Sequence, residues 1–130
     1  MHTGMNPRLA VLAMTALLLL AVCVAPLFPA LYLAFAAVCH QSPDRCLHFY
    51  GLPLAVCARC LGIYAGALAA ALWPMRLPLH WLWILAAANA LEFLSGLGSL
   101  PARFFLAAVF CWLGLSRLIA LASAPELAGN

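Results

Sequence analysis

From Leu9 to Val38 the chain carries no charged residue, and this apolar run starts directly after Arg8. A helix needs roughly 17–25 such residues to cross the hydrocarbon core of a bilayer, so the run up to Ala25 reads as a membrane span. A secretory signal would instead have an apolar core of only about 7–15 residues with a small-residue cleavage site behind it. Here the apolar sequence continues to Cys39. Leu20-Ala21-Val22-Cys23 has the outline of a lipoprotein processing site, but Val22 is too large for the small residue such processing requires. Cys23 is therefore expected to be a small buried apolar residue.

The rest of the chain supports a membrane reading. Of 130 residues, 68% are hydrophobic and 7% charged, against roughly 45–50% and 25% in soluble domains. A single membrane domain over 1–130 follows, with the lipid bilayer as its surroundings. Six arginines against three acids leave a net charge of +3. The arginines are scattered singly, so no basic face can track a phosphate backbone, and nucleic-acid binding is excluded.

Prolines and glycines divide the apolar sequence. Asn6-Pro7 predicts a helix start, since Asn caps free N–H groups and Pro at the first helical position gives up an N–H that lacks a partner anyway. The first span is expected over about 7–25. Pro26 and Pro29 interrupt it. Residues 29–38 are too few to cross and predict a short interfacial or re-entrant helix, with Tyr32 and Phe35 as headgroup-level anchors. A Cys/His loop over 39–60 follows, with Pro43, Asp44, Gly51 and Pro53 as turn residues of a compact loop. The second span is expected at 54–73, which puts Cys57 and Cys60 on one face of its first turns. Gly62 and Gly66, with Ala58, Ala69 and Ala70 nearby, form a small-residue face for close helix packing. Its partner is either another helix of the chain or a second chain, including a homo-oligomer. Pro74 to Pro78 turns the chain back into a third span at 79–97, with His80, Trp81 and Trp83 at the interface. Ser95 to Pro101 leads to a fourth span at 102–121, and the tail from Pro125 to Asn130 is expected to fray.

The predicted fold is thus an all-α integral membrane protein: four transmembrane helices plus a short interfacial helix before a Cys/His loop. Both termini fall on one side and the loop on the other. Arg8, Arg76 and Arg117 then oppose Arg45, Arg59 and Arg103, so positive charge does not decide the orientation.

The chemistry is concentrated at 39–60, which holds four of six cysteines, two of four histidines and two of six arginines. Cys57-Ala58-Arg59-Cys60 can share one metal ion or close a small reducible disulfide. As a metal site, zinc above all, it needs about four N/S ligands, and Cys39, His40, Cys46 and His48 are the supply. The spacing from Cys39 to Cys46 is not a standard finger pattern. Cys39 and His40, being adjacent, are not both expected on one ion without strain. As a redox site, the pair would sit at a helix N-terminus that stabilises a thiolate, with Arg59 between the sulfurs. That layout resembles quinone-linked membrane disulfide oxidases, which place such a pair at the start of a span in a four-helix bundle. Quinone is then the alternative cofactor, reacting with Cys57 and Cys60. Arg59 and Arg103 are expected as cofactor-binding residues, and Cys57, Cys60 and Glu92 are the candidates for a catalytic role. As a third alternative, the cysteines staple the loop. Arg45 is expected to bind Asp44, backbone carbonyls or lipid phosphate, and His48 to be a loop-surface residue. His2 and His80 are isolated.

Glu92 is the acid within a span, and an unpaired carboxylate in lipid is costly enough that it should face the bundle or titrate neutral. Asn89, Glu92 and Gly96 share one helical stripe. In a four-span topology Arg59 and Arg103 reach the same membrane end, as structural partners of the acid or as parts of a functional site.

Cys39-His40-Gln41-x-Pro43-x-Arg45, then Gly51-x-Pro53, then Cys57-Ala58-Arg59-Cys60-x-Gly62-Ile63-Tyr64-x-Gly66 is similar to the pattern of a prokaryotic family of predicted membrane proteins, domain of unknown function 2085. The resemblance is specific over residues 39–66, with Glu92 and Arg103 standing roughly where the family places an acid and an arginine. It implies Cys39, His40, Cys57 and Cys60 as the core set and leaves Cys46 out, because members carry Ser there. It also implies a prokaryotic inner or plasma membrane, and no activity. A metal-binding membrane protein is the leading expectation. A thiol oxidoreductase and a non-enzymatic assembly subunit held through Gly62 and Gly66 are the alternatives.

Overall fold

The computed structural model describes residues 6–127, with side chains through residue 123; His2 lies outside the described residues. The chain is mostly helical, in the order α1 (Pro7–Val24), α2 (Pro29–Phe35), β1 (Cys46–Phe49), β2 (Leu52–Cys57), α3 (Ala58–Leu72), α4 (Leu79–Ser95) and α5 (Leu100–Leu127). Short 3-10 turns at Ala25–Leu27 and Pro43–Arg45 lie between them. Two stretches, Pro7–Leu27 and Leu100–Ser123, are long and apolar enough to cross a membrane, while α3 and α4 are shorter apolar helices.

α1 begins where the sequence places it: the Asn6 side chain accepts from the Arg8 N–H at 3.0 Å, with Pro7 in the first turn. Cys23 on this helix is exposed, contrary to the expected burial. The inward residue is its neighbour Val22, fully buried. On a helix adjacent positions diverge by about 100°, so both cannot face the bundle. α2 ends at Phe35, short of the expected 38, and α5 continues to Leu127, beyond the expected 121 and through part of the tail expected to fray.

The main correction lies between residues 46 and 57, where the expected loop and helix start are an antiparallel hairpin, so the fold is not all-α. Phe49 pairs with Leu52, His48 with Pro53 and Cys46 with Cys57, with an irregularity between Cys46 and His48. The connecting residues Tyr50 and Gly51 have φ of 51° and 79°, the left-handed pair that lets a two-residue loop follow the twist of its strands. Leu54, Ala55 and Val56, expected as the first turn of the second span, are buried in β2. They pack with Val22, Ala25, Phe35 and Cys39 into a small apolar core. A short apolar run fits strand or helix equally by hydropathy, and its pairing with β1 decides for strand.

The helices meet through small residues. A Cβ on Gly62 would strike the Phe104 carbonyl, and one on Gly66 the backbone of Ala108, so α3 and α5 lie backbone against backbone. The Gly62/Gly66 face thus packs on α5 of the same chain. α4 is tied to α5 by Asn89, whose side-chain N–H donates to the Leu106 carbonyl at 3.2 Å. Arg8 donates to the Ala71 carbonyl at 3.1 Å, tying the start of α1 to the end of α3. Trp112 Nε1 donates to the Trp73 carbonyl at 2.8 Å near the same end. Glu92, near the end of α4, pairs with Arg103, near the start of α5. Consecutive long helices therefore run in opposite directions, and the hairpin lies at the end where α3 and α5 begin.

Candidate metal centre

Three sulfurs converge at this end. The Sγ atoms of Cys39, Cys57 and Cys60 all lie within 4.8 Å of one another. Cys39 is brought there by the chain leaving α2, and Cys57 is the last residue of β2 and the N-cap of α3. Cys60 stands in the first turn of α3. Gln41 holds the approach in place: its side-chain amide donates to the Tyr32 carbonyl at 2.7 Å and to the Ala55 carbonyl at 2.9 Å. One amide thereby bridges α2 and β2, and Gln41 itself takes a φ of 47° to do so. Sequence reading assigned it no role, because both of its acceptors are backbone atoms remote in sequence.

The geometry suits thiolates. The Cys57 N–H donates to Cys39 Sγ at 3.1 Å. A hydrogen bond from the Cys60 side chain, joined by the Cys60 backbone N–H, by Cys39 and by the Arg59 N–H, lowers the Cys57 thiol to about 5 against the opposing effect of burial. Donors aimed at the charged form favour it, and those N–H groups are free because they belong to a helix N-terminus.

Cys46 faces the site from behind. It is fully buried opposite Cys57 on β1 but is not part of the sulfur triad. Burial first, then the neighbouring Cys39 and Cys57, push its thiol up to about 11. His40 is exposed and lines the same cavity as the triad without joining it, and His48 is exposed on β1. Cys111 and Cys23 are free thiols elsewhere.

A cavity of about 210 Å³ opens beside the sulfurs, with Arg45, Arg59, Arg103 and Phe93 in its lining. Glu92, with its side chain 8% exposed, bridges two of these arginines: one carboxylate oxygen pairs with Arg59 and the other accepts from Arg103 Nε at 2.8 Å. Arg103 also donates to the Gly96 carbonyl at 3.0 Å, beyond the end of α4. The Arg59 guanidinium stacks over the Phe93 ring, 5.0 Å from its centroid. A Cβ at Gly98 would collide with the Glu92 carboxylate, so the bare backbone there makes room for the acid.

The sulfurs fit a soft divalent ion. With zinc–sulfur bonds near 2.3 Å, tetrahedral coordination sets sulfurs about 3.8 Å apart, within the 4.8 Å limit that contains this triad. An ion held by these three sulfurs would have a fourth position to fill, and the sulfurs line a cavity.

No solved structure matches. An uncharacterized protein of Methanocaldococcus jannaschii is 50% identical over 38 residues, covering 29% of this chain and 24% of that one. An uncharacterized protein of Methanothermobacter thermautotrophicus is 38% identical over 47 residues, covering 36% of this chain and 42% of the other. The matches thus span about a quarter and two fifths of those relatives. The family model described as "Predicted membrane protein (DUF2085)" matches residues 39–116, which contain the hairpin, the sulfur triad and the Glu92 bridge. By that match over more than half its length, the chain belongs to the DUF2085 family of predicted membrane proteins.

Proposed function

We propose that this is a membrane protein with a zinc-type metal site formed by Cys39, Cys57 and Cys60, with a fourth coordination position open to the cavity. The observation that carries the reading is the convergence of three sulfurs, from the chain leaving α2 and from the start of α3, within 4.8 Å of one another. His40 stands closest in sequence as a further ligand and reaches the ion only if its side chain turns inward from the cavity wall.

In this reading all four long helices cross the bilayer. α1 and α5 are long and apolar enough by themselves. α3, at 15 residues, is about 22 Å long against roughly 30 Å of hydrocarbon, and the buried strand β2 continues it toward the headgroups. The alternating directions of the helices and the apolar side chains left exposed along them, such as Leu17, Leu20, Phe105 and Leu118, support the four-span arrangement. The metal site then lies at one membrane face in a prokaryotic inner or plasma membrane.

The test is elemental analysis and thiol counting on protein purified in mild detergent without added metal. About one zinc per chain, lost in Cys57→Ala, is the expected result. A folded, metal-free chain with all its thiols reduced sinks the metal reading.

The lowered Cys57 thiol beside Cys60 favours a second reading, thiol oxidation by a membrane quinone. Cys57 and Cys60 would form a disulfide and pass two electrons and two protons to the quinone, yielding quinol. Two missing thiols in the same metal-free preparation would support it.

A further inference from the structure

The cavity beside the sulfurs is richer in positive charge than the metal reading requires. Arg45 comes from the 3-10 turn Pro43–Arg45, Arg59 from the first turn of α3 and Arg103 from the start of α5, and all three line the one cavity. Glu92 is the one acid that pairs with them among the described residues. Asp44, next to Arg45 in sequence, forms no ion pair with it, and among the described residues the Arg45 guanidinium makes no hydrogen bond to protein, only its backbone N–H donating to the Ser42 carbonyl at 2.9 Å. Three guanidiniums against one carboxylate leave two positive charges in excess. A divalent ion held by three thiolates would add one negative charge and leave the cavity cationic still.

Arg59 and Arg103 share one carboxylate, and the exposed Arg45 adds a further positive charge at the mouth of the same cavity, so the site attracts an anion. Two of the guanidiniums are also oriented in advance. Glu92 grips Arg59 and Arg103 from one side, Phe93 supports the Arg59 plane, and Arg103 is only 13% exposed. Arg59 keeps donors beyond those directed at Glu92. Planar forks of this kind match the paired oxygens of phosphate, and three guanidiniums around one cavity suit an oxyanion with more oxygens to offer than a carboxylate has. The volume, about 210 Å³, accommodates a phosphate group with room beside the sulfurs.

We infer that this cavity binds a phosphate dianion or phosphate monoester, gripped by Arg45, Arg59 and Arg103 beside the open coordination position. Glu92 is a positioning residue that holds two of the three arginines in place. The inference rests on the metal reading only for that neighbouring position, since the arginines and their brace stand without an ion. The phosphate belongs either to a soluble compound or to a lipid headgroup, and one chemistry serves both.

The experiment uses the full chain in mild detergent, with its zinc content measured first, and titrates it with inorganic phosphate and separately with short-chain phosphatidic acid in mixed micelles. Arg45→Gln and Arg59→Gln are the variants. The first removes an exposed side chain that no protein group holds, so its thermal melting stays at the wild-type temperature. Binding at one site per chain that weakens about tenfold in Arg45→Gln supports the proposal. When free phosphate binds, the source is a soluble compound; when phosphatidic acid alone binds, it is a headgroup. Binding of neither, or binding unchanged in both variants, overturns it. A zinc-loaded chain that binds neither probe overturns this inference and leaves the metal reading standing. A metal-free chain with reduced thiols that binds phosphate through these arginines does the reverse.

Discussion

The backbone N–H of Cys57 donates to the sulfur of Cys39 at 3.1 Å, joining the end of β2 to the segment that leaves α2. Eighteen residues separate the two in sequence. The contact exists because the hairpin doubles the chain back, so the sulfur site depends on the hairpin and not on the CxxC pair alone.

Cys46 should be dispensable for metal. It lies behind the triad, fully buried and paired across the hairpin with Cys57. Cys46→Ala is expected to keep the zinc content of the wild type while lowering stability by about 1 kcal/mol through lost packing. Elemental analysis alongside a thermal melt checks it, and loss of zinc would make Cys46 the fourth ligand.

In chelator-treated protein the Cys57 thiol should titrate far below an ordinary thiol. Hydrogen bonds, first that from Cys60, hold the folded Cys57 thiol below its ordinary value, so its thiolate adds stability at neutral pH that is lost as pH falls through the folded value. Iodoacetamide labelling followed by peptide mass spectrometry should show Cys57 reacting at pH 6 while Cys46, held near 11, stays unmodified. Equal labelling of the two would contradict the hydrogen-bonded thiolate.

Glu92→Gln should destabilise the protein by about 3 kcal/mol, since it leaves two largely buried guanidiniums without their shared carboxylate. Arg103→Gln should act in the same direction, and the double variant should lose less than the sum of the two. Thermal melts of the four proteins in one detergent supply the cycle, and strict additivity would mean that the pair is not coupled.

Gly66→Ala should separate α3 from α5, because the new methyl meets the backbone of Ala108, which cannot step aside. A loss of about 1–3 kcal/mol is expected. The same change at Gly114, where nothing lies within 4 Å of an added Cβ, should be neutral or slightly stabilising in a helix. Melting temperatures of the two variants in parallel decide it.

Tyr50 is 92% exposed and held at a φ of 51°, so its side chain contributes little packing while its backbone is strained. Tyr50→Asn should stabilise the hairpin by about 1 kcal/mol, as Asn tolerates the left-handed region. A lower melting temperature would show that the Tyr50 ring, edge-on to Phe49 at 4.7 Å, outweighs that strain.

Features set by local chemistry were legible in the residues. The uncharged run after Arg8, the Asn6-Pro7 start, the prolines at 26, 29, 74 and 78 and the Ser95 to Pro101 connection each act within a few residues of themselves, and they delimit α1, α2 and α4 to within three residues of their observed ends. The apolar run Leu54 to Val56 was not legible, since a strand and the start of a helix share its composition. Cys23 was misread because nothing in its neighbourhood says which side of α1 faces the bundle.

Composition and local order alone mark this chain for a membrane, locate the breaks in its helices and gather its reactive residues between 39 and 60. Which of those residues meet is a matter of the folded chain: Cys39 with Cys57 and Cys60, Cys46 behind them, and Glu92 between Arg59 and Arg103. The reason is physical. Helix length and breaks depend on side chains close in sequence, whereas a site made by a hairpin folding onto two helix ends depends on backbone hydrogen bonds and close small-residue contacts between remote segments.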